Sequence, residues 1–482
     1  MTNTRVRYDR IGCLVALAGL LGGCVVGPDY KRPDAPVAAH YKELPGWVSA
    51  TPSDAAPKGD WWTGFHDPLL DELEPMVAVS NQTVRQDYAN YQQALAEVRV
   101  ARAQLFPVFG ASASATRAKG ASAGAGAPHA VINAGALEAT ASWTPDLWGS
   151  VRRLVEQNAA TAQADEATLA NATLSEQTLL ATTVIQLRLA DADIDLQQKT
   201  VTAYKEALRI TEAQGRASIA AAPPSAVITA RVALESAQAT LIGLGVARAQ
   251  YAHAIAVLAG KNPEDLDIPS ASVMPTLPNV PVGVPSTLLQ RRPDIAAAER
   301  TMAAQNAAVG IAVAAYYPDI ALSAAGGFSQ SPLNGLLHAA NLVWSIGATG
   351  TETLFDFGER SAKVEAAKAG YEGSVAAYRG TVLTALQDVE NDLSGLRILA
   401  EQARALDTAV ADALHATQIA LAEFQAGTVD YVTVAQAQET QLGIQQSAIA
   451  VQQSRLIDAV ALIGDLGGGW SESQLHDPSQ AH

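Results

Sequence analysis

Cysteine is almost missing from this chain: 482 residues contain two, Cys13 and Cys24. Cys13 falls inside a leader expected to be removed, so no disulfide framework is available to the mature protein. Aromatic residues make up 5% of the chain while apolar residues in total make up 49%. That excludes a bulky aromatic core and points to alanine-rich, closely packed helices. Positive charge is scarce as well. Lys and Arg number 32 against 48 Asp and Glu, a formal charge of −16, and with no basic patch the pattern excludes nucleic acid as a partner. The acidity serves solubility. The eight histidines are scattered, without a ligand spacing such as HExxH, so no metal centre is expected. Gly120-Ala-Ser122-Ala-Gly124 sits in an Ala/Gly/Ser loop and lacks the strand and helix that a nucleophile elbow requires. The chain is therefore expected to be no enzyme and to hold no cofactor. Beyond the leader no run of some twenty apolar residues occurs, so any membrane crossing falls to strands.

The leader has Arg5, Arg7 and Arg10 ahead of a short apolar stretch, Ile11 to Leu21, the pattern of a processing signal rather than a membrane span. It ends in Leu21-Gly22-Gly23-Cys24, which resembles a bacterial lipobox. Cleavage leaves Cys24 as the first residue, carrying covalent diacylglycerol and an N-acyl chain, and leaves 29 basic against 47 acidic residues, a charge of −18. Val25 follows Cys24 where an inner-membrane retention signal has Asp, which directs the expectation to the outer membrane.

The rest of the chain is two copies of one unit. Ala101 to Ala115 and Ala312 to Gly326 are each a helical run broken at proline and followed by small alternating residues, with Pro107 and Pro318 equivalent. Asp146-Leu-Trp-Gly149 matches Asp356-Phe-Gly358 one residue shorter. After each proline the pattern has period two. Phe109, Ala111, Ala113 and Ala115 alternate with Gly110, Ser112, Ser114 and Thr116; Leu137, Ala139, Ala141 and Trp143 alternate with Glu138, Thr140, Ser142 and Thr144. The second copy repeats this with Ile320, Leu322, Ala324, Gly326 and Phe328, then Leu342, Trp344, Ile346, Ala348 and Gly350. Two hairpins, four strands, are expected, with loops near Arg117 to Ala130 and Gln330 to Ala340.

Each hairpin is followed by a long helix. Ser150 to Gln214 contains neither glycine nor proline, enough helix for ~98 Å at 1.5 Å per residue. Leu180, Leu187, Ile194, Val201 and Leu208 recur at sevens, a coiled-coil seam. Glu359 to Ala426 is its counterpart. Each reaches a glycine, Gly215 or Gly427, and returns as a second helix, near Ser225 to Leu258 and Tyr431 to Leu462. The prolines between Lys261 and Pro293 predict an irregular connection. Lipid cannot satisfy backbone hydrogen bonds, so spanning strands must close into a barrel, and four strands per chain are too few. Either the strands stay out of the membrane or several chains share one barrel, and helices of this length suit a conduit across the periplasm.

At this point the sequence resembles the TolC-like outer-membrane efflux factors, in their NodT-type, OprM-like lipoprotein branch, from Cys24 almost to Trp470. The motifs that carry the resemblance are Cys24-Val-Val-Gly-Pro-Asp-Tyr-Lys-Arg-Pro33, Trp61-Trp62 with Phe65-His-Asp-Pro-Leu69, and Leu288-Leu-Gln-Arg-Arg-Pro-Asp-Ile295 leading through Ala298-Glu299 to Tyr317-Pro318. The resemblance implies a mainly α chain with a membrane β-barrel. Three chains build a twelve-stranded barrel, four strands each, on a twelve-helix periplasmic α-barrel with a mixed equatorial domain. It implies a homotrimer in outer-membrane lipid that exports small toxic compounds passively, partnered by a periplasmic adaptor and an inner-membrane RND-type transporter. A duct for type I protein secretion is the alternative machine.

The domains expected on this reading are a signal peptide over 1–23, a lipidated equatorial segment over 24–65, a first repeat over 66–260, a linker over 261–293, a second repeat over 294–464 and a tail over 465–482. Cys24 takes the lipid. The turns at Gly215-Arg216-Ala-Ser218 and Gly427-Thr428-Val-Asp430 resemble the family's adaptor-docking tunnel tips, the first with an apparent insertion, Ile219 to Pro224. Tyr431, Val432 and Gln436 fall at the periplasmic aperture. Val432 fits the apolar role there, Gln436 stands where relatives carry aspartate, and Tyr431 serves either as gate or as tip packing. Asp388, Glu390 and Asp392 read as a solvated helix face in preference to the lining of a constriction. Trp143, Trp148 and Trp344 read either as an interfacial belt or as packing between barrel and helices.

Overall fold

The structure, a computed structural model, describes residues 25–38, 40–43, 60–119, 131–216, 223–280, 288–331 and 334–478. After a 3-10 turn at Trp61–Phe65, helices α1 (Pro68–Ser80) and α2 (Gln82–Ala103) lead to strands β1 (Val108–Lys119) and β2 (Val131–Trp143). Helix α3 (Ser150–Arg216) descends and α4 (Pro224–Leu258) returns. The second unit repeats the order: α5 (Pro293–Ala314), β3 (Asp319–Gln330), β4 (Leu342–Thr351), α6 (Glu359–Gln425) and α7 (Tyr431–Asp465). Both long helices have 67 residues, about 100 Å of axis at 1.5 Å per residue. Strand β1 runs past Arg117 to Lys119, so the first loop is shorter than the sequence suggests. Between the units, residues 261–280 hold one short 3-10 turn, Pro263–Asp265, and are otherwise irregular, as their prolines require.

The four strands form one antiparallel sheet in chain order. Register decides its two faces. Ala113 pairs with Leu137, Leu137 with Phe328, and Phe328 with Leu342. The apolar sets of all four strands therefore share one face, and Ser112, Glu138, Gly327 and Val343, likewise joined pair by pair, share the other.

Both junctions from strand to long helix use the same device. Gly149 and Gly358 take φ of +84° and +90°, a left-handed turn that glycine adopts without cost. Asp146 then accepts hydrogen bonds from the backbone N–H of Val151 (3.1 Å) and Arg152 (3.0 Å) and from Arg152 Nε (3.0 Å). Asp356 accepts from the N–H of Gly358 (3.0 Å) and Arg360 (3.2 Å) and from Arg360 Nε (2.7 Å). The carboxylates satisfy helix N–H groups that have no partner within the helix.

The main core lies at the waist of the helices. Trp61, Trp62, Phe65, Leu70, Leu73 and Val77 pack there with Leu180 to Leu187 of α3, Ile255 of α4, Ile295 of α5, Tyr378 to Leu396 of α6 and Leu456 to Leu462 of α7. The three sequence motifs acquire physical reasons at this level. Phe65 is fully buried, and Asp67 caps α1 by accepting from Leu69 N–H (2.8 Å) ahead of Pro68. Arg292 bonds Asp294 (2.8 and 3.0 Å) and Asp465 (3.0 Å), tying the start of α5 to the end of α7. The segment after Cys24 clips to the upper helices: Val26 N–H donates to Trp148 O (3.1 Å), Asn306 donates to Pro28 O (3.0 Å), and Tyr30 donates to the buried Glu299.

One helix departs from expectation. Although no stretch is continuously apolar, α4 has the length and the mean hydropathy (1.4) to cross a membrane, and most of its surface is exposed in the single chain. Its exposed Ile228, Val232, Ile242 and Val246 stand at coiled-coil spacing. This is an unpaired seam on a helix that already packs along α3.

Candidate functional site: the tip of the helical hairpins and the strand faces

The second tip is built by Gly427-Thr428-Val429-Asp430. Helix α6 stops because Gly427 turns left-handed, φ +76°. Its N–H then donates to Phe424 O (3.0 Å) while Thr428 N–H reaches Glu423 O (3.0 Å), the paired closure of a Schellman end. Asp430 opens α7 as its N-cap, accepting from Thr433 N–H (3.1 Å) and Thr433 Oγ1 (3.0 Å). Four residues thus reverse the chain, closed on one side by the Gly427 and Thr428 N–H groups and on the other by the Asp430 cap. That gives a short, stiff, polar tip.

Behind it sits a small core drawn from all four helix ends. Ala207 of α3, Ala226 and Ala230 of α4, Ala420 and Phe424 of α6, and Tyr431 and Val434 of α7 are buried together. Tyr431 is fully buried, its ring edge-on to Phe424 at 5.9 Å. Its hydroxyl has no hydrogen-bond partner, and burial pushes its pKa up to about 12. Tyr431 is thus packed inside the tip of the single chain, within its small core. Gln214 Nε2 donates to Phe424 O (3.1 Å) from the end of α3, a buried tie between the two hairpins.

Val432 and Gln436 lie on the opposite side of α7. Val432 is 46% exposed, Gln436 is exposed one turn on, and Glu439 and Gly443 continue the same face. At the first tip Gly215 and Arg216 form the last turn of α3, with Arg216 and Arg231 both paired to Glu212 (3.8 and 3.4 Å). Ser218 and the apparent insertion up to Ala222 lie outside the described residues, as do Cys24 and the Gly120–Gly124 stretch.

Asp388, Glu390 and Asp392 are not the solvated face expected of them. Glu390 accepts hydrogen bonds from the N–H groups of Lys42 (2.6 Å) and Glu43 (3.0 Å), and Asp388 stands 3.9 Å from Arg292. Burial and the neighbouring Asp465 push the Asp392 carboxyl up to about 9. The three anchor the N-terminal segment and the α5–α7 contact at the waist, a role set by groups distant in sequence. The tryptophans divide. Trp143 Nε1 donates to Leu105 O (3.0 Å), and Trp148 Nε1 donates to Pro318 O (2.8 Å) with its ring stacked on Tyr317 at 4.8 Å. Both pack barrel against helix. Trp344, 73% exposed, stays on the apolar sheet face.

The sheet has the chemistry of a wall between lipid and water. Phe109, Ile346 and Trp344 are exposed on its apolar side, while Ser112, Ser114, Glu138 and Thr140 share the other. Strands β1 and β4 pair on one side only.

Comparison with known proteins agrees with this geometry. The family model described as "Outer membrane efflux protein" matches residues 75–261 and 284–468, one block per repeat. The probable efflux pump outer membrane protein TtgC of Pseudomonas putida is 30% identical over 479 residues, covering 97% of each chain. Outer membrane protein OprJ of Pseudomonas aeruginosa is 29% identical over 488 residues, covering 96% of each. The solved outer-membrane channel OprN superposes with a TM-score of 0.86 at 29% identity, covering 93% of this chain and 100% of that one.

Proposed function

This chain belongs to the outer membrane efflux protein family, and from that premise we propose that three copies form the exit duct of a tripartite pump. It is an outer-membrane efflux channel, its strands in the outer membrane and its helices in the periplasm. The observation that carries the trimer is the four-stranded sheet with two open edges and opposed apolar and polar faces. Lipid forbids open edges, a barrel of four strands is too small, and three copies close twelve. The unpaired apolar seam of α4 supports the same assembly, since a neighbouring copy buries it.

Cys24 carries the lipid on this reading. Val26, two residues on, is bonded to Trp148 O at the junction of strands and helices, the level at which an acyl chain enters the inner leaflet. The tips at Gly215, Arg216 and Ser218 and at Gly427, Thr428 and Asp430 dock the periplasmic adaptor, and an inner-membrane RND-type transporter supplies the energy. Val432 and Gln436 line the closed aperture, which opens when the hairpins splay. The cargo is small toxic organic compounds, as relatives named for antibiotic and toluene efflux suggest. Planar bilayers test the duct. Purified trimer should conduct in discrete steps once its tips are loosened by substitution, and a trimer that never opens would sink the proposal.

A further inference from the structure

The internal repeat specifies contacts that a single chain cannot show. Pro107 and Pro318 relate β1 to β3 by an offset of 211. Val108↔Ser142 and Asp319↔Thr351 then relate β2 to β4 by 209, the same offset that separates Gly149 from Gly358. Inside the chain the two units meet along β2 and β3, with Gly135↔Gln330 and Ala139↔Gly326 paired. At the rim of that seam, Trp148 stacks on Tyr317. Applying the offsets carries β2 to β4 and β3 to β1. Ala139↔Gly326 becomes Ala348↔Ala115, Gly135↔Gln330 becomes Trp344↔Lys119, and Trp148 on Tyr317 becomes Phe357 on Phe106.

Within one chain the outer edges of β1 and β4 have no partner strand among the described residues, and Phe357 meets Phe355, itself 74% exposed, at 4.5 Å. Strands β1 and β4 are exposed along their whole length, and Phe106 and Phe357 are 66% and 91% exposed. Phe357 also holds a φ of +55°, an uncommon state for a bulky residue and one found where a side chain must be aimed. Resting on the trimer reading above, we propose that β4 of one copy pairs antiparallel with β1 of the next in the register Ala348↔Ala115. Phe357 then closes the periplasmic rim against Phe106 of that second copy.

The register keeps the two faces of the sheet continuous from one copy to the next. Even-numbered residues of β4 carry the apolar face, as do odd-numbered residues of β1. The transferred pairs join even to odd, so the lipid face continues across the seam, whereas a slip of one residue would turn it into the lumen. At the outer end the register sets Trp344 and Ile346 beside Lys119 and Arg117 of the second copy, cations next to an indole face. Six equivalent hairpin seams then run around the barrel, three inside chains and three between them.

Cysteine pairs read this seam directly. Ala348→Cys is combined with Ala111→Cys, Ala113→Cys or Ala115→Cys in the full-length protein, and isolated outer membranes are oxidised alongside the parent. A disulfide needs Cβ atoms about 4 Å apart, and a slip of two residues leaves them about 7 Å apart. Covalent multimers should therefore be at least about fivefold more abundant with Ala115→Cys. Phe106→Cys with Phe357→Cys lies outside the strands and should cross-link as well, so the contact is read even where a strand cysteine impairs insertion. A maximum at Ala111→Cys or Ala113→Cys in protein that is trimeric by native electrophoresis would overturn the register and leave the trimer standing. Absence of trimers in the parent would overturn both.

Discussion

Arg188 of α3 grips Asp67 ahead of α1 through two hydrogen bonds, Nε to Oδ2 at 2.8 Å and Nη2 to Oδ1 at 3.1 Å, with both side chains less than a tenth exposed. The same guanidinium lies 4.0 Å from the buried Asp191, which in turn accepts from Arg248 (2.6 Å), Ser270 (2.9 Å) and Ala271 N–H (3.0 Å). One network thus links the first helices, both arms of the first hairpin and the linker. Removing one partner of a buried pair strands the other charge, a loss of about 3–5 kcal/mol. Asp67→Ala should lose this and the α1 cap together, and Arg188→Met should lose less. Thermal melts of the detergent-solubilised protein followed by circular dichroism check the order; equal melts for both variants and the parent would refute it.

Glu74 is fully buried in the waist core, and neither carboxyl oxygen has a partner. Burial raises its pKa from 4.5 to about 9. In the folded chain it keeps a proton that the unfolded chain has already released above pH 4.5. The folded state therefore binds more protons through that window, and stability falls as pH rises from about 4.5 towards 9. Glu74→Leu should raise stability by about 1–3 kcal/mol, since an unsatisfied polar group leaves the core. Glu74→Gln should flatten the dependence between pH 5.5 and 8.5. A variant that melts with the parent's slope would contradict the assignment.

These two sites show what local pattern can and cannot encode. Period-two alternation gives the strand faces directly, because side chains alternate whatever the partner strand is. The run without glycine or proline from Ser150 gives the long helix, because nothing in it interrupts the hydrogen-bond ladder. Of the heptad seam, Leu180, Leu187 and Val201 are buried, whereas Ile194 and Leu208 are only half-buried. Arg188 and Asp67, 121 residues apart, or Gln214 and Phe424, 210 apart, leave no local mark. Each is an ordinary polar or apolar residue until the folded chain brings it to its partner. For Tyr431 a clue existed in its spacing from Val434, which places both on the inward side of α7, away from Val432 and Gln436.

That inward position makes Tyr431 a test of the tip as a packed unit. Truncating a buried aromatic costs about 3–5 kcal/mol through lost contacts and the cavity left behind. Tyr431→Ala should loosen all four helix ends at once, so its bilayer conductance should open more often than the parent's while its melting temperature falls. Tyr431→Phe keeps the ring against Phe424 and removes a buried hydroxyl without a partner. It should match or exceed the parent in stability and stay closed. The contrast between the two variants separates packing from any use of the hydroxyl; a Phe variant as open as the Ala variant would refute packing as the tyrosine's role.

Gln436 offers the more direct reading of the aperture. It is exposed on the face it shares with Val432 and Glu439, so a charge placed there meets the lumen wherever that face lines it. Gln436→Asp in a threefold assembly adds three carboxylates at one level, separated from bulk water by the surrounding helices. A ring of one sign in a narrow, low-dielectric passage raises the local concentration of counter-ions. The cation-to-anion permeability ratio, read from reversal potentials in a salt gradient, should rise several-fold. It should rise most at low ionic strength, where screening is weakest and the Debye length reaches about 30 Å at 0.01 M. Gln436→Asn, with the same polarity and no charge, should leave the ratio unchanged. Unaltered selectivity in the Asp variant, in trimers that conduct, would place residue 436 away from the pore and leave the constriction to the Glu439 level of the same face.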